Sequence, residues 1–351
     1  MKDNIQVYDN YIVSDGGRKF DILKLVLSIM VVMIHTKPLP DVFMPLLRLA
    51  VPLFFIMTAY FFFLKQKNQP RKQQQLNLNK YVVRGLKLYL FWFVALLPFT
   101  IVIRHWYSMP IGEFVPYFIK KLLFGSTFKA SWFLMASLLG VVLVFYMSKF
   151  LKNYVLLIIG IVLYLFGCLS TNYFGLLKSS SFLSLLYHWT INNTGSPHNS
   201  FFVAFVWIVI GKMIAEHHFF ISNKKVIVAL VLSILLLYVE YFTLKHFCLV
   251  KTNDCYVMLI PTAVLLFVLI GQNTIGIPDG VNTMKCRKMS TIIYCVHLTI
   301  ASLLPQLLRF MHLPQNNVLL FLFTITISVL IGLLIIALED RKYFKILKYS
   351  Y

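Results

Sequence analysis

Ten apolar runs, each close to the length of a helix that crosses a bilayer, recur along the 351-residue chain. A transmembrane helix needs roughly 17 to 25 mostly apolar residues. The runs lie at Phe20–Lys37, Leu46–Leu64, Leu86–Ile103, Trp132–Met147, Tyr154–Ser170, Phe201–Glu216, Val226–Leu244, Tyr256–Gly271, Thr291–Phe310 and Val318–Leu338. Lipid offers no hydrogen-bond partner to backbone groups, so runs of this length favour helices. The sequence therefore predicts an all-α, polytopic membrane bundle of about ten transmembrane helices.

The composition excludes the main soluble classes. Hydrophobic residues make up 59% of the chain and charged residues 13%, whereas an average soluble domain has about 25% charged residues. A soluble protein could not bury this much apolar surface together with 32 Phe and 19 Tyr. A soluble enzyme, a disordered chain and a disulfide scaffold are therefore excluded.

The net charge of +21 is explained by membrane orientation. The basic residues cluster between apolar runs, whereas a nucleic-acid-binding protein would carry them on a water-facing stripe. With both termini inside, 22 of the 33 Lys and Arg lie on the cytoplasmic side and 10 outside. This bias predicts a cytoplasmic N-terminal segment 1–19 and a cytoplasmic tail 339–351. No short internal repeat and no separate soluble domain is evident, so we expect a single domain over residues 1–351, located in the plasma membrane. The first run is read as a retained span, and the polar segment Lys65–Lys80 as a solvated connector.

The five cysteines show no metal-binding spacing, and no metal is predicted. Cys248 and Cys255 both fall in one predicted outer loop. Because that side of the membrane is oxidising, a disulfide and two free thiols both remain open.

Polar side chains interrupt the first apolar run along one helical face. Lys24 and His35 are eleven residues apart, which places them within about 20° of each other on a helix. Asp21 and Ser28 fall within about 40° of His35. A charged side chain inside a membrane costs at least about 2.5 kcal/mol, so an inward polar stripe predicts a functional cavity. Simple snorkelling of Lys24 and an interfacial role for His35 are the alternatives.

Five segments, taken in order, resemble the acyltransferase family 3 of membrane proteins. The run from Arg18 to His35 resembles the family's opening span, in which ten residues separate a basic residue from a histidine. Four further motifs follow at Val51–Tyr60, at Arg84-Gly-Leu-Lys87, at Ser131-Trp-Phe-Leu134 and at Ser290–His297. The order and spacing match over nearly the whole chain. Lys24 and Lys87 replace the commoner arginines, and lysine lacks the fork that grips a phosphate with two bonds.

The resemblance implies transfer of an acyl group, usually acetyl from acetyl-CoA, to a hydroxyl of a sugar or another cell-envelope molecule. His35 would be the general base, since histidine titrates near working pH, and an acetyl-histidine intermediate is a less favoured alternative. Lys24 and Asp21 complete the predicted catalytic group.

Two further groups of residues are predicted to bind the donor and the acceptor. Arg84, Lys87 and Arg18 are expected to hold the CoA phosphates at the cytoplasmic side, or to serve only as orientation anchors. Trp132 would line the acyl path, or lie in an interfacial aromatic belt. The residues predicted to bind the acceptor are Tyr60, Arg48, Tyr294 and His297. The expected partners are an acyl-CoA donor, a glycan or lipid-linked sugar and membrane lipid, with no nucleic acid.

Two other functions remain open at this point. A small-molecule transporter is the first, because membrane domains related to this family have amino-acid uptake roles in serine racemase fusions. A non-catalytic partner of an envelope machine is the second, and it predicts that the polar stripe of the first run tolerates alanine.

Overall fold

The computed structural model describes residues 17–178, 180–217, 221–272, 277 and 280–351, so most of the predicted segment 1–19 lies outside the described residues. The described part contains helices and no strand. Its α-helices are α1 (Gly17–Thr36), α2 (Met44–Leu47), α3 (Ala50–Gln66), α4 (Arg71–Ile103), α5 (Ile111–Phe124), α6 (Trp132–Met147), α7 (Asn153–Leu169), α8 (Phe174–Lys178), α9 (Ser181–Asn193), α10 (Phe201–Glu216), α11 (Asn223–His246), α12 (Leu259–Gln272), α13 (Thr283–Phe310) and α14 (Asn317–Leu338). Short 3-10 helices lie at Asp41–Phe43, Trp106–Ser108, Pro197–Asn199 and Lys342–Tyr349.

The all-α class is confirmed, and each of the ten predicted segments is largely helical. Five described helical stretches are long and apolar enough to cross a membrane, at Asp41–Gln66, Arg71–Ile103, Asn223–His246, Thr283–Phe310 and Asn317–Leu338. Three shorter apolar helices are α6, α7 and α12. Helix α1 belongs to neither group, because charged residues occupy its first two turns. The number of spans and the orientation of the termini stay predictions.

Helix α10 is the centre of the bundle and packs against α3, α6 and α7. Its residues from Val203 to Lys212 are all buried. A Cβ at Gly211 would lie 2.6 Å from the carbonyl oxygen of Ile56, so the absence of a side chain permits this approach of α10 to α3. Helix α1 packs against α13, α14 and α3, which turns its polar stripe towards other helices.

The polar segment before the third predicted span is helical, so the connector predicted at Lys65–Lys80 is wrong from Arg71 onward. Gln and Lys are good helix formers, and Pro70 occupies the position just before the first turn of α4. The buried amide of Asn77 donates to the Gln66 side chain at 3.2 Å, which ties α4 to the end of α3. As a result, Arg84 lies in the middle of α4.

Helix α13 is the other long helix that begins before its predicted apolar run. It starts at Thr283, before the predicted Thr291, and the side chain of Asn282 accepts a hydrogen bond from the Lys285 backbone N–H at its first turn. This extension places Arg287 on the helix that packs against α1.

Contacts of Glu240 fix the loop that leads into α12, and the two cysteines of that loop are not bridged. Glu240 on α11 accepts hydrogen bonds from the backbone N–H groups of Val257 at 2.6 Å and Met258 at 2.8 Å, and from the Tyr173 hydroxyl at 2.5 Å. It therefore fixes the loop just before α12. Cys248 is exposed, Cys255 is buried, and both are free thiols.

Candidate active site

A cavity of about 320 Å³ opens between α1, α3, α4, α6 and α13, beside the N-terminal half of α1. We call it the basic cavity, because the charged residues in its lining are Lys24, Arg84 and Arg287. Its polar lining is completed by Thr58, Tyr81, Ser137, Ser290, Thr291, Tyr294 and Tyr351. The Ser290 hydroxyl donates to the Lys24 carbonyl oxygen at 2.8 Å, which fixes α13 against α1 at this level.

The basic cavity carries an excess of positive charge. Lys24 pairs with Asp21 at 3.2 Å, and the charges of Arg84 and Arg287 both act on the Lys24 ammonium. Among the described side chains named here one carboxylate, that of Asp21, is set against three cations, so an anion that enters the cavity gains favourable Coulomb energy from the two remaining charges.

A second cavity of about 600 Å³ adjoins the first, and Arg84 and Tyr351 line both. Its other basic residues are Lys80, Lys87 and Lys348. Lys87 lies here with its ammonium 5.0 Å from the Tyr349 ring, so it does not share the basic cavity with Lys24. Arg84 and Lys87 thus face neighbouring spaces.

Aromatic rings close the deep end of the basic cavity. Phe54, Phe133 and Tyr294 all line it, with ring centroids 5.9 Å apart for Phe54–Phe133, 6.3 Å for Phe54–Tyr294 and 5.2 Å for Phe133–Tyr294. We call these residues the aromatic gate. The Tyr294 ring also lies 5.7 Å from the His297 ring, and neither His35 nor His297 is among the described residues that line the cavity, so the gate lies on the side of the cavity that faces the imidazoles.

His35 and His297 lie beyond the aromatic gate, with ring centroids 5.4 Å apart. His35 is exposed, whereas His297 is fully buried. The Nδ1 atom of His297 lies 2.7 Å from the Tyr294 carbonyl oxygen and 3.2 Å from that of Ile293. Because both partners are acceptors, Nδ1 carries the proton, and in the neutral ring Nε2 is an acceptor. That Nε2 is buried and has no hydrogen-bond partner among the described residues.

A charged cluster lies next to His35 at the C-terminal end of α1. Arg48 pairs with Asp254 at 2.7 Å, and His198 Nε2 lies 3.9 Å from the same carboxylate. Burial would raise the pKa of Asp254, but Arg48 and His198 outweigh it and hold that pKa below its usual value. With Trp132, these residues line a small cavity of about 40 Å³. Trp132 therefore lies at the His35 end and not along the basic cavity.

Three other residues that the sequence analysis named, Arg18, Tyr60 and Ser28, line neither the basic cavity nor the cavity that adjoins it. Arg18 is half-buried in the first turn of α1. Tyr60 is buried, with its ring 5.2 Å from that of Phe267 and 6.4 Å from that of Phe20, which is the environment of a core aromatic residue. Ser28 is buried and donates to the Leu25 carbonyl oxygen of its own helix at 2.7 Å, so its hydroxyl does not extend the polar stripe.

Sequence reasoning missed Arg287 as a residue of the basic cavity. It also missed Asp254 and the contact between His198 and Asp254. Arg287 is one of the cytoplasmic basic residues that the charge count treats only as an orientation signal, although one helical turn separates it from Ser290 of a motif. Asp254 carried no local signal, because its partner Arg48 is distant in sequence. The described residues contain no group of three or more His, Cys, Asp or Glu arranged to hold a metal ion.

Comparisons with known proteins point to the same family as the sequence motifs. Residues 18–337 match the family model of an acyltransferase domain, that of acyltransferase family 3. A protein named amino-acid racemase from Enterococcus faecalis is 25% identical over 297 residues, which are 77% of this chain and 40% of that protein. A second Enterococcus faecalis protein of the same name is 21% identical over 336 residues, 92% of this chain and 46% of that protein.

The chain therefore spans less than half the length of these curated relatives. No solved structure matches it. The family model covers nearly the whole chain and includes the three basic residues of the basic cavity, the aromatic gate and both imidazoles. The chain belongs to acyltransferase family 3, and it is a membrane protein with an acyltransferase domain.

Proposed function

We propose that this protein transfers an acyl group, in the simplest case acetyl, from an acyl-CoA to a hydroxyl of a cell-envelope glycan or lipid-linked sugar. The donor enters from the cytoplasm, and the acceptor arrives from the outer side. The observation that carries the proposal is the convergence of Lys24, Arg84 and Arg287 on one cavity that leads towards a histidine pair.

The cavity suits a donor that carries several phosphates. Arginine binds phosphate oxygens through two parallel hydrogen bonds, and lysine binds them as a point charge. Arg84 and Arg287 would hold the phosphates together with Lys24, and Lys87 would take part through the adjoining cavity. Asp21 would act by holding the Lys24 ammonium, whereas Arg18 lines neither cavity and its role in donor binding stays a prediction.

The dimensions suit an extended thioester arm. From Lys24 to His35 the helix rises about 16 Å, from eleven residues at 1.5 Å each. The aromatic gate lies between these levels, so the acyl end reaches His35 only after the rings of Phe133 and Tyr294 move apart. A gate of this kind would keep water away from the thioester until the acceptor is bound.

The reaction requires two proton transfers, one from the acceptor hydroxyl and one to the leaving thiolate. His35 takes the proton of the acceptor hydroxyl, whose oxygen attacks the thioester carbon, and the C–S bond breaks. The leaving thiolate then takes the proton from His35. His297 would orient the His35 ring if a His35 N–H turned to donate to its Nε2, an acceptor that has no hydrogen-bond partner among the described residues and belongs to a ring 5.4 Å from that of His35.

Purified protein and radiolabelled acetyl-CoA test the donor half of this proposal. We expect saturable binding, slow hydrolysis without acceptor, and loss of binding when Lys24 and Arg84 are both changed to Gln. Arg309→Gln is the control, since Arg309 is exposed at the far end of α13. Absence of acetyl-CoA binding by the wild-type protein would refute the proposal.

A transporter is the second candidate, and the names of the two relatives favour it. Both are called amino-acid racemases, and this chain matches less than half of each. A membrane segment that brings an amino acid to such an enzyme would need no CoA. Uptake of radiolabelled amino acids into proteoliposomes that contain no CoA, combined with no acetyl-CoA binding, would favour transport over acyl transfer.

A further inference from the structure

Three segments that are far apart in the sequence meet at the small cavity of about 40 Å³, which Trp132 also lines. Arg48 lies between α2 and α3, His198 lies in the 3-10 helix before α10, and Asp254 lies in the loop that leads into α12. The side chains of these three residues are 19–21% exposed, so they form the mouth of the small cavity. Since the loop before α12 is a predicted outer loop, this mouth is on the side from which the proposed acceptor arrives.

The inner wall of the small cavity is buried. Tyr164 and Leu259 are each 1% exposed, and Trp207 is 0% exposed. The Tyr164 hydroxyl is already used, because it donates to the Tyr256 carbonyl oxygen at 2.7 Å. The ring of Trp207 lies edge to face with that of Tyr164, with the centroids 5.2 Å apart. This packing fixes the indole of Trp207 in the wall.

Three buried polar atoms of the lining have no hydrogen-bond partner among the described residues. They are Nε of Arg48, Nδ1 of His198 and Nε1 of Trp207. The first and the third are donors only, whereas an imidazole nitrogen donates or accepts according to the tautomer. A buried polar atom without a partner costs free energy. Three such atoms around one cavity therefore indicate that it accommodates a polar group.

The small cavity has no net charge at neutral pH. Nη2 of Arg48 lies 2.7 Å from the Asp254 carboxylate, so these two charges cancel. Burial lowers the pKa of His198, so the imidazole is neutral at pH 7, and its Nε2 is 3.9 Å from Asp254, too far for a hydrogen bond. An anion would meet the Asp254 carboxylate without a net positive charge to hold it. A hydroxyl, which both accepts and donates, suits this lining better.

The volume restricts the group to a few heavy atoms. One water-sized group needs roughly 10–15 Å³ of cavity, so the small cavity holds about three of them. A whole sugar ring is too large for this space. A hydroxymethyl group, which adds one carbon and one oxygen to a ring that stays outside, fits.

Two contacts connect the small cavity with the proposed reaction site. The ring of Trp132 lies 6.3 Å from that of Phe133, which belongs to the aromatic gate. Helix α2, which ends one residue before Arg48, packs against Ile34, the residue before His35. An acceptor that lies over the mouth of the small cavity is therefore close to the end of α1 that carries His35.

We propose that the small cavity binds an uncharged hydroxymethyl group of the acceptor sugar, with Arg48 Nε and Trp207 Nε1 donating to its oxygen and His198 Nδ1 accepting from its O–H. This inference rests on the proposed function and adds the substrate class, because the acceptor would contain a neutral hexose. The small cavity recognises the hydroxymethyl group, and another hydroxyl of the acceptor reacts at His35.

Thermal unfolding of the purified full chain with saturating CoA tests the inference. The probes are glucose, xylose and glucuronate at equal concentration and ionic strength, because their pyranose rings differ only at C5, which carries a hydroxymethyl group, a hydrogen or a carboxylate. Any sugar at high concentration stabilises a folded protein by exclusion from its surface, so xylose supplies the baseline. We expect glucose alone to raise the unfolding temperature above that baseline, in a saturable way.

Three variants each remove one partner of the hydroxymethyl oxygen or its proton. They are Trp207→Phe, which keeps an aromatic ring, Arg48→Lys, which keeps the charge opposite Asp254, and His198→Phe. Each is expected to weaken glucose binding about fivefold, the effect of losing one hydrogen bond.

The chain offers a matched control for the tryptophan. Nε1 of Trp106 is likewise buried without a hydrogen-bond partner among the described residues, but its ring packs against two phenylalanines of α5 and does not line the small cavity. Trp106→Phe should therefore leave the glucose response unchanged. His188→Phe, at an exposed position of α9, is the control for His198→Phe.

Equal responses to glucose and xylose would mean that the small cavity holds only solvent and would overturn the inference. A stronger response to glucuronate than to glucose, or equal losses in Trp207→Phe and Trp106→Phe, would also overturn it. Stabilisation by CoA without discrimination between sugars refutes only the hydroxymethyl site. No stabilisation by CoA refutes the proposed function, and the sugar responses, repeated without CoA, still decide the hydroxymethyl site.

Discussion

Changing Arg287 to Gln should weaken acetyl-CoA binding about tenfold and leave the maximal rate of transfer nearly unchanged. Arg287 lines the basic cavity, is half-buried, and adds its charge to those of Lys24 and Arg84. A hydrogen bond from a charged group contributes about 1.5–3 kcal/mol. Salt screens partly exposed groups, so we take the lower end, and about 1.4 kcal/mol corresponds to a factor of ten in the dissociation constant.

The assay is equilibrium binding of radiolabelled acetyl-CoA to purified protein at low and high salt. Arg287→Lys should recover part of the affinity, since it keeps the charge and loses the fork. Lys285→Gln is the matched control, because Lys285 is exposed two residues earlier on α13 and does not line the cavity. Equal affinities for Arg287→Gln and Lys285→Gln, or a loss that salt does not diminish, would refute this reasoning.

Three further substitutions test the fold and the gate. Glu240→Gln removes the charged acceptor that holds the loop before α12 and should destabilise the protein by about 1–3 kcal/mol in a thermal melt; Asp340→Asn, whose side chain is 81% exposed, should have almost no effect. Gly211→Ala should cost about 1–3 kcal/mol by forcing α10 away from α3, whereas Gly112→Ala, with nothing within 4 Å, should not, and equal melts would contradict the packing. Phe133→Ala should open the aromatic gate and raise acetyl-CoA hydrolysis without acceptor, and an unchanged hydrolysis rate would contradict the role of the gate.

Helical periodicity was sufficient to predict the arrangement of α1. The eleven-residue spacing predicted that Lys24 and His35 share a face, and both lie beside helix α13: Lys24 lines the basic cavity with Arg287, and the His35 ring lies 5.4 Å from that of His297. Periodicity could not reveal that Ser28 bonds to its own helix, because a buried hydroxyl chooses between a distant partner and the nearby carbonyl.

The helix starts and the ion pairs were harder to predict. Hydropathy marks the apolar part of a helix, so it missed the polar first turns of α4 and α13 and, with them, the placement of Arg287. Asp254 meets Arg48 only because α11 and α12 bring the loop between them back to the start of α3. Contacts of this kind depend on tertiary packing, which hydropathy and helical periodicity do not reveal.

Mass analysis of envelope glycans from cells that carry the wild-type protein or His35→Ala tests the central claim most directly. The claim is that an acyl group, delivered from the basic cavity, is transferred at His35. We expect an acyl mass on a glycan with the wild-type protein and its loss in His35→Ala, although that variant reaches the same level in the membrane and binds acetyl-CoA as tightly. An undiminished acyl mass in His35→Ala at equal protein level would contradict the account.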